Sequence, residues 1–390
     1  MKLLYVASVT NRLDGVNKKI LAQFKYLSNM IPDSELILFI RGAPSNELRD
    51  NINYLQSDQI EIIDTSSFGR LSARRAKMGT LMKKFNAISG NVIFYFRYPL
   101  ADRAFLRLIK AIKKDGGIVI TEHQSIESRE LLSNRRLLLF LNEYLFAKKV
   151  RKEISGFVSV TREIADYELA RSGNNHKPYL VNGNGIEVSS VPIRKTPAFD
   201  GKNLELLCVA QVAKWHGLDR LVKGMAEYKG NMNVRLHVVG DGSEVPNLKK
   251  LVSDLELENS VMFHGFKMGK ELDEFFDKCH IAIGSLGLHR IGVSEGSILK
   301  VREYCARGIP FIYGSMDKDF REGFPYLLNV PPDETPIDLD AVSSFAYRRL
   351  SDTEHSVKMR EYAKENLDWL IKMKRLVEFM NEVLESKVKR

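Results

Sequence analysis

Short apolar runs alternate with helix-length segments along this chain, and that alternation limits the fold more than any other feature. The order is LLYVAS, a helix from about Asn17, ELILFI, EIIDT, a basic helix, NVIFYFRY, a helix from Ala101, GIVITEH, GFVSVT, a helix over Thr161 to Ser172, and YLVNGNGI. Strands that are apolar on both faces, each followed by a helix, form a mostly parallel sheet covered on both sides. A polar, proline-bearing stretch, VSSVPIRKTPAFDGK, then leads into a second series: LELLCVAQV, RLHVVGDG, SVMFHGF, HIAIGSL and IPFIYG. Two α/β units of the same kind follow, each Rossmann-like in internal order. Residues from about Ser351 to Arg390 read as a pair of helices.

The chain of 390 residues, 44% of them hydrophobic, has room for about two domains. Cys208, Cys279 and Cys305 are an odd, scattered set with no Cys-x-x-Cys spacing, so neither a disulfide framework nor a zinc site is indicated and a reducing cytoplasm fits. The opening MKLLYVASVTNRLDG reads as a first buried strand rather than a signal peptide. The most lipid-like stretch, Leu137 to Ala147, is broken by Asn142 and Glu143 and is too short to span a bilayer.

A net charge of +10 asks for an anionic partner. Two clusters carry much of it. Residues 70 to 84 hold Arg70, Arg74, Arg75, Lys77, Lys83 and Lys84, and residues 135 to 152 hold Arg135, Arg136, Lys148, Lys149, Arg151 and Lys152 among leucines and aromatics. Either these charges face an anionic membrane surface, or the leucines are core and the charges a solvated face. With no aromatic platform or nucleic-acid fold, nucleic acid is not an expected partner.

The segment GVSEGSILKVREYCARGIP, Gly292 to Pro310, places Glu295 and Glu303 around a small-residue turn that opens a helix. Gly296 permits the turn and Ser297 suits an N-cap, which would leave the NH groups of Ile298, Leu299 and Lys300 at the positive end of the helix dipole. An anion belongs there. Lys300 is misplaced in the first turn of an isolated helix, and a bound diphosphate reverses that penalty.

The same segment resembles the E-x7-E signature of retaining glycosyltransferases of family 4, and EYCARGIPFIYG is similar to that family's continuation into the next strand. The resemblance is strong over about residues 204 to 315. The strings WHGLD and LKVREYCARGIPF are similar to a subset from bacterial surface-polysaccharide pathways. It implies the GT-B architecture, two Rossmann-like domains with parallel sheets facing across a cleft: an acceptor-binding domain over 1–187, a nucleotide-sugar domain over 188–350, and helices over 351–390 returning to the first. It also implies that Glu295 meets the transferred sugar and Glu303 the ribose, and that a histidine after the fifth strand, here His123, contacts the donor sugar.

Other loops at strand ends are donor-binding candidates. After the first strand, Gly15 and the helix beyond it would bring NH groups to a phosphate, although family members have a richer glycine loop. After LELLCVAQV, the family's diphosphate-binding Arg and Lys are replaced by Gln211 and His216; either Lys214 or a partly protonated His216 supplies the charge, and the latter would make activity fall as pH rises through about 6.5. Phe266 lies in the loop expected to hold the base. Asp317-x-Asp319 matches the metal-binding motif of another glycosyltransferase fold, but the helix N-terminus and Lys300 already offer charge neutralisation, so no metal is expected.

The expected activity is transfer of a sugar from a nucleoside diphosphate to a hydroxyl of a glycan or lipid-linked acceptor, with retention and with no cofactor beyond the donor. Lys300, Lys214 and backbone NH groups would stabilise the leaving group. The competing reading is a GT-B sugar-nucleotide epimerase or an inactive binding subunit.

Overall fold

The computed structural model describes residues 1–55, 58–88, 92–133, 135–173 and 176–388, with residues 70, 71, 133 and 388 described in backbone only. The chain divides into two compact units, one made of residues 1–183 with 369 onward and the other of 184–368.

In the first unit the strands are β1 (Lys2–Ser8), β2 (Ser34–Ile40), β3 (Ile60–Asp64), β4 (Val92–Arg97), β5 (Ile118–His123), β6 (Gly156–Ser159) and β7 (Tyr179–Val181). They form one parallel sheet in the order β3-β2-β1-β4-β5-β6-β7. Tyr5 lies opposite both Leu36 and Tyr95, and the sequence order reverses at β1. Leu3, Leu4, Tyr5, Ile93, Phe94 and Tyr95 are wholly buried because helices cover both faces, which is why these strands read as unbroken apolar runs.

The second unit repeats the plan with β8 (Asn203–Val209), β9 (Asn233–Val239), β10 (Val261–Phe263), β11 (Ile281–Ile283), β12 (Phe311–Tyr313) and β13 (Leu327–Asn329), ordered β10-β9-β8-β11-β12-β13 and all parallel. Its core joins Leu204, Leu206, Leu236, Ile281 and Ile312 to the helices on one face, and Leu207, Ala282 and Phe311 to those on the other.

The observed boundaries differ from 1–187, 188–350 and 351–390. The first change of unit falls at 183/184. The helix His355–Asn366 stays with the second unit, where Met359 and Ala363 are buried in one cluster with Val301 and Cys305 of the helix Leu299–Arg307. Only the helix Trp369–Val388 joins the first unit, against the helix Gly15–Met30 and β7.

The two basic clusters fold differently. In the helix Arg70–Asn86, Arg74 is closed by Asp102, Lys84 sits between Glu35 and Glu61, and Lys77 donates to Ser8 Oγ at 3.1 Å. That cluster is thus partly closed, while Arg75 and Lys83 are exposed; the side chain of Arg70 lies outside the described residues. The helix Leu137–Glu153 is patterned inside out. It buries Glu143, Ala147, Val150 and Arg151, while Leu137, Leu138, Leu141, Tyr144 and Leu145 are 53–77% exposed. Its buried charges are matched, since Arg151 Nη1 donates to Glu143 Oε1 at 2.8 Å and Arg151 Nη2 to Glu168 Oε1 at 2.8 Å. No described helix is long and apolar enough to cross a membrane.

Candidate functional site

In the second unit the helix Leu299–Arg307 runs between β11 and β12, and its Tyr304 hydroxyl ties it to the sheet. That oxygen accepts from Val209 NH at 3.1 Å and donates to the Ile283 carbonyl at 3.2 Å, fixing the helix over the ends of β8 and β11. Ahead of it the chain runs beside Met316: Gly296 NH donates to Met316 O at 2.8 Å and Met316 NH to Ser294 O at 3.2 Å. A Cβ at Gly296 would lie 2.0 Å from Tyr313 Oη, so this approach requires glycine.

Ser297 does not cap the helix as its sequence position suggests. Its Oγ accepts from Asn184 NH at 2.7 Å and Arg302 Nη2 at 2.9 Å. The N-cap position passes to Ile298, which has no side-chain acceptor, and the helix starts at Leu299 with no side-chain cap. A helix start without a cap leaves backbone donors available to an anion.

Lys300 sits in this uncapped first turn. Its stem is partly exposed, but Nζ is buried and has no hydrogen-bond partner. Burial pushes its pKa below that of an ordinary lysine. Cys208, at the end of β8, and His216 lie within its electrostatic reach. A buried, unpartnered ammonium is costly unless a counter-charge arrives.

The loop after β8 forms a short 3-10 turn, Lys214–His216, which ends at Gly217 in the left-handed conformation. It is held by Leu286 NH to His216 O at 2.9 Å and Arg290 Nη1 to Lys214 O at 3.0 Å. The His216 side chain is internal to the loop, its Nδ1 accepting from Ala213 NH at 3.0 Å. Burial first, and then the neighbouring Lys300, pull its pKa down to about 3. The expectation of a partly protonated His216 is thus corrected: the imidazole is neutral at working pH. Gln211 and Lys214 are both exposed, so of the two proposed sources of charge only Lys214 is a cation.

Glu295 is half-buried at the turn. Glu303 faces Arg307, whose Nε donates to Glu303 Oε1 at 2.8 Å while its Nη1 reaches Asp273 Oδ1 at 2.7 Å. Phe266 is 74% exposed just beyond Gly265, which is bridged to Gly240 across the loops following β9 and β10. The Asp317-x-Asp319 carboxylates hold a protein cation. Both pair with the fully buried Arg302, whose Nε also donates to Asn184 O at 2.9 Å. This network of Asn184, Ser297, Arg302 and the two aspartates sets the path into the helix. Its one legible sign is the Asp-x-Asp spacing, which resembles a metal motif more readily than a clamp on an arginine over a dozen residues away.

Two candidates in the first unit already have protein partners. At Gly15 the helix Gly15–Met30 is already capped, because Asp14 Oδ1 accepts from Val16 NH and Asn17 NH, both at 2.9 Å. A carboxylate occupies the position expected for a phosphate. His123 is fully buried: Nε2 is 2.9 Å from Thr121 Oγ1, Nδ1 is 3.0 Å from Glu127 Oε1, and the ring lies 4.3 Å from that of Tyr98. Burial opposes its charge, but Glu168 and Glu127 outweigh that and hold its pKa above the ordinary value. His123, Glu127 and Glu168 have the proximity of a metal-binding group, yet Arg151 engages both oxygens of Glu168, so the cation in this cluster is the guanidinium. In this structure both ring nitrogens of His123 thus have protein partners.

Residues 191–322 match the model of the family described as glycosyl transferases group 1. No curated protein matches the chain. Among solved structures the chain is similar to Anabaena HepE in complex with UDP, with TM-score 0.66 and 14% identity over 98% of this chain and 100% of that one. It is similar to the lipopolysaccharide outer core galactosyltransferase WaaB, with TM-score 0.67 and 18% identity over 99% and 100%. A glycosyltransferase from Rickettsia africae gives TM-score 0.67 and 15% identity over 98% and 99%. At these identities the likeness is one of fold. The chain thus has the two Rossmann-like units of the GT-B fold, with a glycosyl transferases group 1 match over residues 191–322.

Proposed function

We propose that this protein is a retaining glycosyltransferase that moves a sugar from a nucleoside diphosphate to an acceptor hydroxyl. The observation that carries the reading is the buried, unpartnered Lys300 ammonium in the first turn of an uncapped helix, a cation and a dipole with no anion between them. The group 1 match, which spans that helix, and the solved HepE complex with UDP support a nucleotide donor.

In the reaction the bond between the anomeric carbon and the diphosphate oxygen breaks as a bond to the acceptor oxygen forms. The acceptor hydroxyl proton passes to the departing diphosphate oxygen, and the nucleoside diphosphate leaves. Leaving-group charge falls on the NH groups of the first helical turn and on Lys300, with Lys214 at the loop beside them; such stabilisation in a water-poor site is the largest lever available to transfer chemistry. Glu295, at the turn before the helix, orients the sugar. Glu303, held by Arg307 through one oxygen, offers the other to the ribose hydroxyls.

The setting we propose is bacterial surface-glycan synthesis at the membrane surface. The likeness to WaaB and the exposed leucines of the helix Leu137–Glu153, followed by exposed Lys148, Lys149 and Lys152, support it.

The test is thermal stability with UDP-, GDP- and dTDP-sugars. A donor at about a hundred times its Kd stabilises the folded state by about 2.7 kcal/mol. One nucleotide class is expected to raise the melting temperature of the wild type and to lose that effect in Lys300→Ala. Absence of a shift with every donor, or equal shifts in the variant, would overturn the site.

A further inference from the structure

The turn Lys214–His216 is held from one direction. Its three successive carbonyls each accept from the segment after β11: His216 O from Leu286 NH at 2.9 Å, Trp215 O from Gly287 NH at 3.2 Å, and Lys214 O from Arg290 Nη1 at 3.0 Å. The two backbones touch here, since a Cβ on Gly217 would lie 2.8 Å from Gly287 N. Two of these contacts run from backbone to backbone and any residue could make them; the third depends on a side chain.

That side chain is saturated. Besides Lys214 O, Arg290 Nη1 donates to Asp219 Oδ1 at 2.7 Å, Nη2 to Asp219 Oδ2 at 2.8 Å and Glu334 Oε2 at 2.6 Å, and Nε to Glu334 Oε1 at 2.9 Å. All five N–H donors of the guanidinium are used, in a double fork on two carboxylates that leaves one hydrogen for the carbonyl. A lysine has neither the plane nor the number of donors to reproduce it.

The surrounding loops do not depend on this clamp. The fully buried Arg220 already joins the segment after β13 to the one after β11, donating to Pro331 O at 3.0 Å, Thr335 O at 2.8 Å and Leu286 O at 2.6 Å. The Arg290 and Glu334 side chains are 19% and 63% exposed, and pairs of that kind contribute little to stability. What Arg290 adds is the hold on Lys214, at the start of a turn whose other end, His216, lies within electrostatic reach of Lys300.

We infer that Arg290 is a positioning residue of the donor site: it fixes the Lys214 turn against the chain leading to Glu295, so that the Lys214 ammonium meets the diphosphate from a preset backbone. The inference rests on the transferase reading above, with Lys214 as a diphosphate cation. A lysine on a loose loop loses backbone freedom when the anion binds, whereas one on a clamped turn has lost it already. The clamp also keeps its charges at working pH, because hydrogen bonds from Arg290 and then His289 pull the Glu334 carboxyl down to about 2. Its effect is therefore read by substitution.

Calorimetry with UDP, and with uridine displacing UDP, tests this on wild type, Arg290→Gln, Lys214→Ala and the double variant. Lys214→Ala is expected to weaken UDP binding about tenfold, the size of one charge-assisted bond, and Arg290→Gln about fivefold. Uridine, which has no phosphate, is expected to bind all four proteins equally. In the double variant the effect of Arg290→Gln is expected to disappear, since the clamp has nothing to position once the ammonium is gone. Glu334→Gln, which frees half of the fork at an exposed position, is expected to give the same pattern with a smaller loss. The melting temperature of Arg290→Gln is expected to stay within about 4 °C of wild type; a larger drop would assign Arg290 to the fold instead. Equal weakening of uridine and UDP, an effect of Arg290→Gln that persists without Lys214, or unchanged UDP affinity in Arg290→Gln overturns the proposal. Wild type that binds no nucleotide removes the donor reading and this assignment with it, whereas nucleotide binding with additive variants removes this assignment alone.

Discussion

Lys300 and His216 are neighbours with opposite fates, and their difference fixes a pH dependence. Burial lowers both pKa values, and Lys300 pushes that of His216 further, to about 3. Burial lowers the folded-state pKa of Lys300, so the free protein loses that charge at a lower pH than an ordinary lysine would, whereas a bound diphosphate favours keeping it. UDP affinity is therefore expected to fall as pH climbs through the lowered lysine pKa. Lys300→Ala should bind about tenfold more weakly, with that fall removed, a loss of the size of one charge-assisted bond. His216→Asn should leave the profile between about pH 5 and 8 unchanged. Calorimetry across that range decides it; an inflection near pH 6.5 that disappears in His216→Asn would restore the histidine as the cation.

The helix Leu299–Arg307 is the element on which the site depends, and its entry is sterically exact. An alanine at Gly296 places a methyl 2.0 Å from Tyr313 Oη and 2.9 Å from Leu288 Cδ1. Overpacking of this kind costs about 1–3 kcal/mol. Gly296→Ala should lower the denaturation midpoint accordingly and impair donor binding, and adding Tyr313→Phe, which removes the nearest obstructing atom, should recover part of both. Equal stability of Gly296→Ala and wild type would show that the turn relaxes freely.

This helix also shows where sequence is readable. Its existence, the small-residue turn ahead of it and the misplaced Lys300 follow from local pattern. The capping does not, because Ser297 is a good cap in isolation and loses that role to Asn184 and Arg302, partners supplied by the fold. In the first unit the reverse holds: Asp14, one residue before Gly15, is a legible N-cap and keeps that role in the fold. The strands were recognisable because both faces are buried, whereas the Arg290 clamp has no local signature, being assembled from residues as far apart as Lys214 and Glu334.

At the scale of the whole molecule, Arg74, Lys84, Arg151 and Arg302 are closed into pairs with carboxylates, which leaves the excess of +10 to the other residues. Part of it, Lys148, Lys149 and Lys152, lies on the helix Leu137–Glu153, where exposed leucines and lysines share one element. Sedimentation with anionic vesicles should show binding that weakens with added salt and is lost in Leu138→Ser with Leu141→Ser. Both positions are exposed, so these changes should leave stability within about 0.5 kcal/mol. Retained binding by that variant would locate membrane contact elsewhere.

The two units also differ in how they are written into the chain. The second is one continuous stretch, and everything its sheet packs against lies between residues 184 and 368. The first is interrupted by it and completed by Met373, Leu376, Phe379 and Met380 of the helix Trp369–Val388, with Asn182 Nδ2 donating to Lys372 O at 2.9 Å. During synthesis the later-made unit can therefore reach its native core first, while the earlier-made unit waits with an uncovered sheet until the ribosome has delivered that helix.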